Sequence, residues 1–227
     1  MIGIIGAMDV ELDLLKSALT DRKEKNISNI DFVSGKLSGK EVVIAKCGIG
    51  KVFAAICAQT MILEYAPECI INTGVAGALK SGIAVGDVVI SLNAVQHDMD
   101  TSALGDPRGL VSGINVINFP ADKKLVSTMQ MAVEEQGVKA FVGNIASGDK
   151  FVHEAEEKAK IAEEFDAYAC EMEGAAIAHT CYVNRTPFAV VRAISDSIDG
   201  GAADYMTFVQ SAAKTSANTV ISAIEKL

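Results

Sequence analysis

The sequence predicts an α/β fold: a three-layer α/β/α sandwich with a mixed central β-sheet. Three observations carry this expectation. Short β-branched runs alternate with segments of helical period along the 227 residues. Several of those runs are apolar on consecutive positions, as in strands covered on both faces. No low-complexity linker, repeat or composition break divides the chain, so 1–227 reads as one domain.

Taken in order, a strand is expected at 2–6, followed by a helix whose apolar stripe is Met8, Leu12, Leu15 and Leu19. Strand-like runs follow at 31–35 and 41–45. Val52, Ala55, Ile56, Gln59 and Leu63 mark a second helix, which Pro67 bars from continuing. Strands at 69–73 and 87–91 precede a stretch without period, 96–113, which contains Gly105, Pro107, Gly109 and Gly113. A loop that long inside a compact domain is expected to be functional or an interface. Leu125, Met129, Ala132 and Val133 give a third helix with Gly137 beyond its end, and 142–147 a further strand. Met172, Ala175, Ala176, His179 and Val183 give a fourth helix, 187–193 the last strand. Tyr205, Phe208, Ala212, Val220, Ile224 and Leu227 line a long amphipathic C-terminal helix.

Composition narrows the function. The net charge is −9 with only four arginines, Arg22, Arg108, Arg185 and Arg192, so no basic face exists to neutralise nucleic-acid phosphates or to lie on an anionic membrane. Half the residues are apolar, yet no run is long enough to span a bilayer. A mean hydropathy of +0.29 without a membrane segment predicts surface hidden between subunits, hence an oligomer. Cys47, Cys57, Cys69, Cys170 and Cys181 are odd in number and scattered through apolar segments, as reduced core cysteines are. His97, His153 and His179 are equally dispersed, so no metal is expected. The start, Ile2-Gly3-Ile4-Ile5, lacks a signal-peptide pattern, and a cytoplasmic location is expected.

In parallel α/β sheets, ligands gather at the carboxyl ends of strands. Four places there carry polar chemistry. Gly6-Ala7-Met8-Asp9-Val10-Glu11 puts two carboxylates in a first helical turn, where they cap the helix or, at a strand end, serve as a base for water. Asn72-Thr73-Gly74-Val75-Ala76-Gly77 reads as a glycine-rich turn that lets backbone approach a ligand. It lacks the GK[ST] and GxGxxG patterns of phosphate loops. Ser147-Gly148-Asp149-Lys150-Phe151-Val152 offers an aromatic on which a flat purine could stack, although packing alone also explains Phe151. Glu171-Met172-Glu173 and Val190-Val191-Arg192-Ala193-Ile194-Ser195-Asp196 supply three acids and an arginine. Residues two apart cannot share a direction, so one of Glu171 and Glu173 faces the pocket and the other is structural. A buried Arg192 needs carboxylate partners, and Asp196 follows it in the loop.

These motifs, in this order and over the whole chain, resemble the 5′-methylthioadenosine/S-adenosylhomocysteine nucleosidases of the nucleoside phosphorylase superfamily. The resemblance implies one nucleoside phosphorylase-like catalytic domain that needs no cofactor, and roles for the matching positions. Asp196 protonates or hydrogen-bonds N7 of adenine, and Glu11 activates the attacking water. Glu173, beside Met172, holds the ribose hydroxyls; Phe151 stacks on the purine and the Val152 backbone reads its edge. Ser195 supports Asp196, Ile49 lines the alkylthio pocket, and Tyr205 or Phe208 covers the site. The resemblance further implies a homodimer, with Leu104 reaching the neighbouring subunit's pocket. Val75 stands where some relatives carry serine, and 104–109 lacks the aromatics of the alkylthio pocket.

The chemistry fits these roles. Cleaving a glycosidic bond builds positive charge on the sugar and negative charge on the base, so an acid on the base and a carboxylate-held water address both ends. Donation by Asp196 at neutral pH requires a raised pKa or a shared proton. A phosphorylase would want arginines or a cationic nest for phosphate, whereas only Arg192 is near the acids. Two rival readings remain compatible with the same residues: a hydrolase acting on aminodeoxyfutalosine, and a non-catalytic nucleoside-binding module.

Overall fold

A computed structural model describes residues 1–227. Ten strands, β1 (Ile2–Gly6), β2 (Thr20–Ile27), β3 (Ile30–Leu37), β4 (Lys40–Lys46), β5 (Cys69–Ala78), β6 (Val88–Gln96), β7 (Phe119–Pro120), β8 (Ala140–Ser147), β9 (Ala167–Glu171) and β10 (Phe188–Asp196), form one mixed sheet. Six helices accompany them: α1 (Asp9–Ser17), α2 (Lys51–Tyr65), α3 (Lys123–Glu135), α4 (Ala155–Phe165), α5 (Gly174–Asn184) and α6 (Ala202–Lys226).

The strand order is β10-β6-β8-β9-β5-β1-β4-β3-β2, and β10 pairs with β5 as well. Five strands therefore close into a ring, while β1, β4 and the β2–β3 hairpin extend from it as an open sheet. Helices cover both faces. α1, α3 and α6 bury Leu12, Leu15, Leu125, Met129, Val220 and Ile224 with one set of strand side chains. α2 and α5 bury Ala54, Cys57, Met61, Ile177 and Cys181 with the other. α4 closes a smaller cluster with Ile161 and Phe165. Each large aliphatic side chain so enclosed contributes about 1.5–3 kcal/mol of burial. The expected sandwich is present, with one half of its sheet closed on itself. All five cysteines are buried and unpaired.

Two boundaries differ from the sequence reading in ways that matter for the site. The stretch 72–77 is not a turn: β5 runs straight through it to Ala78, because β10 and then β9 supply ladder partners. Asp196 is not in a loop either; it is the last residue of β10, in register with Gly77. Gly77 in turn pairs with Cys170 of β9, so β5, β9 and β10 converge at one point. Four elements have no counterpart in the sequence reading: β2, β7, β9 and α4.

Candidate active site

The converging strand ends, with the start of α1 and the segments around Ile49, Phe151 and Tyr205, enclose a cavity of about 360 Å³. Of the residues expected there, Glu11, Ile49, Val75, Gly77, Phe151, Glu171, Met172, Glu173, Ser195, Asp196 and Tyr205 line it. Ala7, Met8, Ala76 and Cys170 also line it.

Glu11 belongs to α1, yet its carboxylate turns back toward the strand ends. The N–H groups of Ala7 (2.8 Å) and Met8 (3.0 Å) donate to Oε2, and that of Val75 (3.1 Å) donates to Oε1. Glu11 thus both caps its helix and lines the cavity, the two roles that the sequence left open. Burial pushes its carboxyl above the ordinary value, against the pull of the Arg192 guanidinium and of those three N–H groups.

The glycines of β5 acquire a physical reason here. A Cβ on Gly74 would collide with Glu11 Oε1, and one on Gly77 would lie 2.6 Å from Asp196 Oδ2. Both acids approach the strand closely because these two positions carry no side chain.

Glu171 and Glu173 divide as the two-residue spacing suggests. Arg192 Nη2 donates to Glu171 Oε2, as do the N–H groups of Glu173 (3.1 Å) and Gly174 (2.8 Å), and Ser147 Oγ donates to Oε1. That carboxylate caps α5 and has little left to offer a ligand. Glu173 accepts one hydrogen bond, from the Gly50 N–H (2.9 Å), and lies 3.9 Å from Arg192 Nη2. Its carboxyl is pushed up to about 8, first by burial and then by the neighbouring Glu171 carboxylate.

Arg192 itself does not line the cavity, which corrects its expected place among the ligand contacts. Its guanidinium is 2% exposed and donates to Glu171, to Asn72 Oδ1 (2.6 Å) and to Val191 O (3.2 Å). It is not the partner of Asp196. That partner is Lys158 of α4, whose Nζ lies 2.7 Å from Oδ2 and which the sequence reading does not single out. Ser195 Oγ lies 3.0 Å from the other oxygen of Asp196.

Phe151 and Tyr205 meet edge to face at 5.4 Å, and the Tyr205 hydroxyl reaches Met8 Sδ at 3.5 Å, giving the cavity an apolar wall opposite the acids. Three more expected residues, besides Arg192, stand outside the lining. The Val152 side chain points into the α4 cluster, Phe208 sits a turn beyond Tyr205 on α6, and Leu104 is 84% exposed in a short 3-10 turn. No lysine or arginine lines the cavity.

Residues 1–225 match the model of the phosphorylase superfamily. A 5′-methylthioadenosine/S-adenosylhomocysteine nucleosidase of Staphylococcus aureus is 43% identical, with both chains covered in full. The structure of the enzyme of that name from Neisseria meningitidis, in complex with methylthio-immucillin-A, superposes with a TM-score of 0.95 at 38% identity, covering 100% of this chain and 99% of that one. A futalosine hydrolase of Helicobacter pylori superposes with a TM-score of 0.94 at 33% identity, covering 100% and 97%. The chain belongs to the phosphorylase superfamily and, within it, to the 5′-methylthioadenosine/S-adenosylhomocysteine nucleosidases.

Proposed function

We propose that this protein hydrolyses the N-glycosidic bond of 5′-methylthioadenosine and S-adenosylhomocysteine, releasing adenine and the thioribose product. The observation that carries water over phosphate as acceptor is the charge of the cavity wall. Four carboxyl groups line it and no cation does, while Arg192 and Lys158 are spent on carboxylates behind it. A dianion would find no partner there.

In this reading Asp196 hydrogen-bonds and protonates N7, so that adenine leaves as a neutral base. Glu11, held by three N–H groups and made more basic by burial, orients water and takes its proton as the sugar develops oxocarbenium character. Glu173 receives the ribose hydroxyls, and Phe151 with Tyr205 flanks the purine. The backbone of Val152 reads the purine edge. Ser195 steadies Asp196, and Ile49 lines the 5′ end.

A second copy of the chain completes the assembly. Val52, Phe53, Ile56 and Leu63 on α2 and Val183 on α5 are exposed apolar side chains on neighbouring helices, and a homodimer through this face would bring Leu104 to the partner's 5′ pocket. Such an enzyme would act in the cytoplasm, in methionine salvage and in removal of a by-product of methyl transfer. No helix is long and apolar enough to cross a membrane.

The match to a futalosine hydrolase favours one second reading, in which the 5′ substituent is that of aminodeoxyfutalosine. The test is a substrate panel: methylthioadenosine, adenosylhomocysteine, aminodeoxyfutalosine and inosine, with and without phosphate, following free base. Adenine release from both thionucleosides, independent of phosphate, is expected. Release that requires phosphate, or none from either thionucleoside, refutes the proposal.

A further inference from the structure

Lys158 is the one charged group behind the cavity that no motif accounts for. It sits on the buried stripe of α4 with Ile161 and Phe165, and its side chain is fully enclosed. An ammonium has three donors and no acceptor, and here all three are used. They go to Asp196 Oδ2 (2.7 Å), Ser197 O (2.8 Å) and Gly200 O (3.0 Å). The two carbonyls belong to the segment 197–200, which leads from β10 into α6 and so to Tyr205 on the cavity wall.

We infer that Lys158 is a positioning residue for Asp196: one ammonium orients the carboxylate and ties it to the segment leading to Tyr205. The inference rests on the reading of Asp196 as the acid at the base. Stability alone is a poor reason for such a pair, because two apolar side chains serve a fold as well as a buried ion pair does. Lys158 does not reach the cavity, so whatever it does for the reaction it does through Asp196. A compact point charge suits that task, since it fixes the carboxylate without the planar fork that would occupy both oxygens. One oxygen of Asp196 therefore stays with Ser195 and the cavity.

An ammonium beside a carboxylate favours its charged form, and a buried carboxyl without one favours the neutral form. Replacing Lys158 by an apolar side chain must then let Asp196 keep its proton to higher pH. Several titratable groups face the pair: Cys170 on β9, Tyr205 and Asp204 on α6, Glu157 on α4, His97 beyond Cys170, and Glu11 and Glu173 across the cavity. Burial raises Cys170 and Tyr205 and lowers His97, so these three stay uncharged between about pH 7 and 9. Glu173 titrates within that window, and its contribution is separated by repeating the measurement in a Glu173→Gln background.

The experiment is the pH profile of kcat/KM for methylthioadenosine in the wild type, Lys158→Met and Lys158→Arg, with Asp196→Asn alongside. The limb that reports the acid is expected to move up by about one pH unit or more in Lys158→Met, in both Glu173 backgrounds. It is expected to stay in place in Lys158→Arg, which keeps the charge. A folded Lys158→Met enzyme with the wild-type limb overturns the inference while leaving Asp196 its role, provided Asp196→Asn is inactive. An active Asp196→Asn enzyme removes both. Should Lys158→Met not fold, Lys158→Gln, which removes the charge but keeps donors for the Ser197 and Gly200 carbonyls, takes its place in the same pH profile. A limb that moves up in Lys158→Gln is expected, and one that stays at the wild-type position overturns the inference.

Discussion

Two ion pairs lie side by side behind the cavity, Arg192–Glu171 and Lys158–Asp196, and each is almost wholly buried. Their surroundings differ. Arg192 spreads its fork over Glu171, Asn72 and the Val191 carbonyl, and Glu171 is filled by Ser147 and two backbone N–H groups at the start of α5. Apart from Arg192 Nε, which has no partner, the donors and acceptors of that pair are spent within the protein, and it welds β5, β9 and β10 to a helix. Lys158 holds Asp196 from one side only, and the remaining carboxylate oxygen meets Ser195 at the cavity. A closed pair fixes a fold, and a pair open on one side leaves an acid free for chemistry.

The comparison can be broken at either pair. The largest effect is expected from Asp196→Asn, which should lower kcat for methylthioadenosine by about 10²–10⁴-fold. Its stability should fall as well, by up to about 3–5 kcal/mol, because the fully buried Lys158 ammonium keeps only the Ser197 and Gly200 carbonyls. Glu171→Gln should act mainly on the fold, costing about 3–5 kcal/mol in denaturant unfolding because it leaves the buried guanidinium with only the more distant Glu173 carboxylate. A stability loss under about 1 kcal/mol would show that the closed pair is not structural.

A third expectation concerns pH. The fold favours the neutral form of Glu173, whose carboxyl is raised to about 8 from its ordinary 4.5. The stability associated with that preference is present in full below the ordinary value and is lost as pH rises through about 8. Thermal melting of the wild type should therefore decline from pH 6 to 9 more steeply than that of Glu173→Gln; parallel curves would remove Glu173 as the cause. The smallest effect is expected at the wall. Phe151→Leu should raise KM roughly 3–10-fold with kcat nearly unchanged, the worth of one aromatic contact, and a fall confined to kcat would contradict a stacking role.

How much of the molecule is legible in its sequence depends on where each signal lies. Strands covered on both faces announce themselves, so the runs of β1, β5 and β10 stand out, and with them Glu11, Gly77 and Asp196. β2 escapes notice because Thr20–Asn26 are all exposed, leaving no apolar alternation; its pairing with β3 alone makes it a strand. β9 is five residues long and merges in sequence with the acids that follow it. The stretch 72–77 reads as a turn because its glycines suggest one, whereas they are strand positions cleared for Glu11 and Asp196. Arg192 does have carboxylate partners as expected, but Asp196 is not among them, since proximity along the chain says nothing about which way a β10 side chain faces. Lys158 is lost among the charges of Ala155–Phe165. One signal points to it: it shares a helical stripe with Ile161 and Phe165, where a solvated lysine has no place.

The central claim is that a cavity walled by carboxyl groups delivers water, and no anion, to the sugar. It is tested most directly by cleaving methylthioadenosine in heavy-oxygen water with phosphate present and weighing the sugar product. The account predicts methylthioribose carrying one heavy oxygen at its anomeric carbon, formed at a rate that phosphate does not change. A phosphorylated methylthioribose would contradict it.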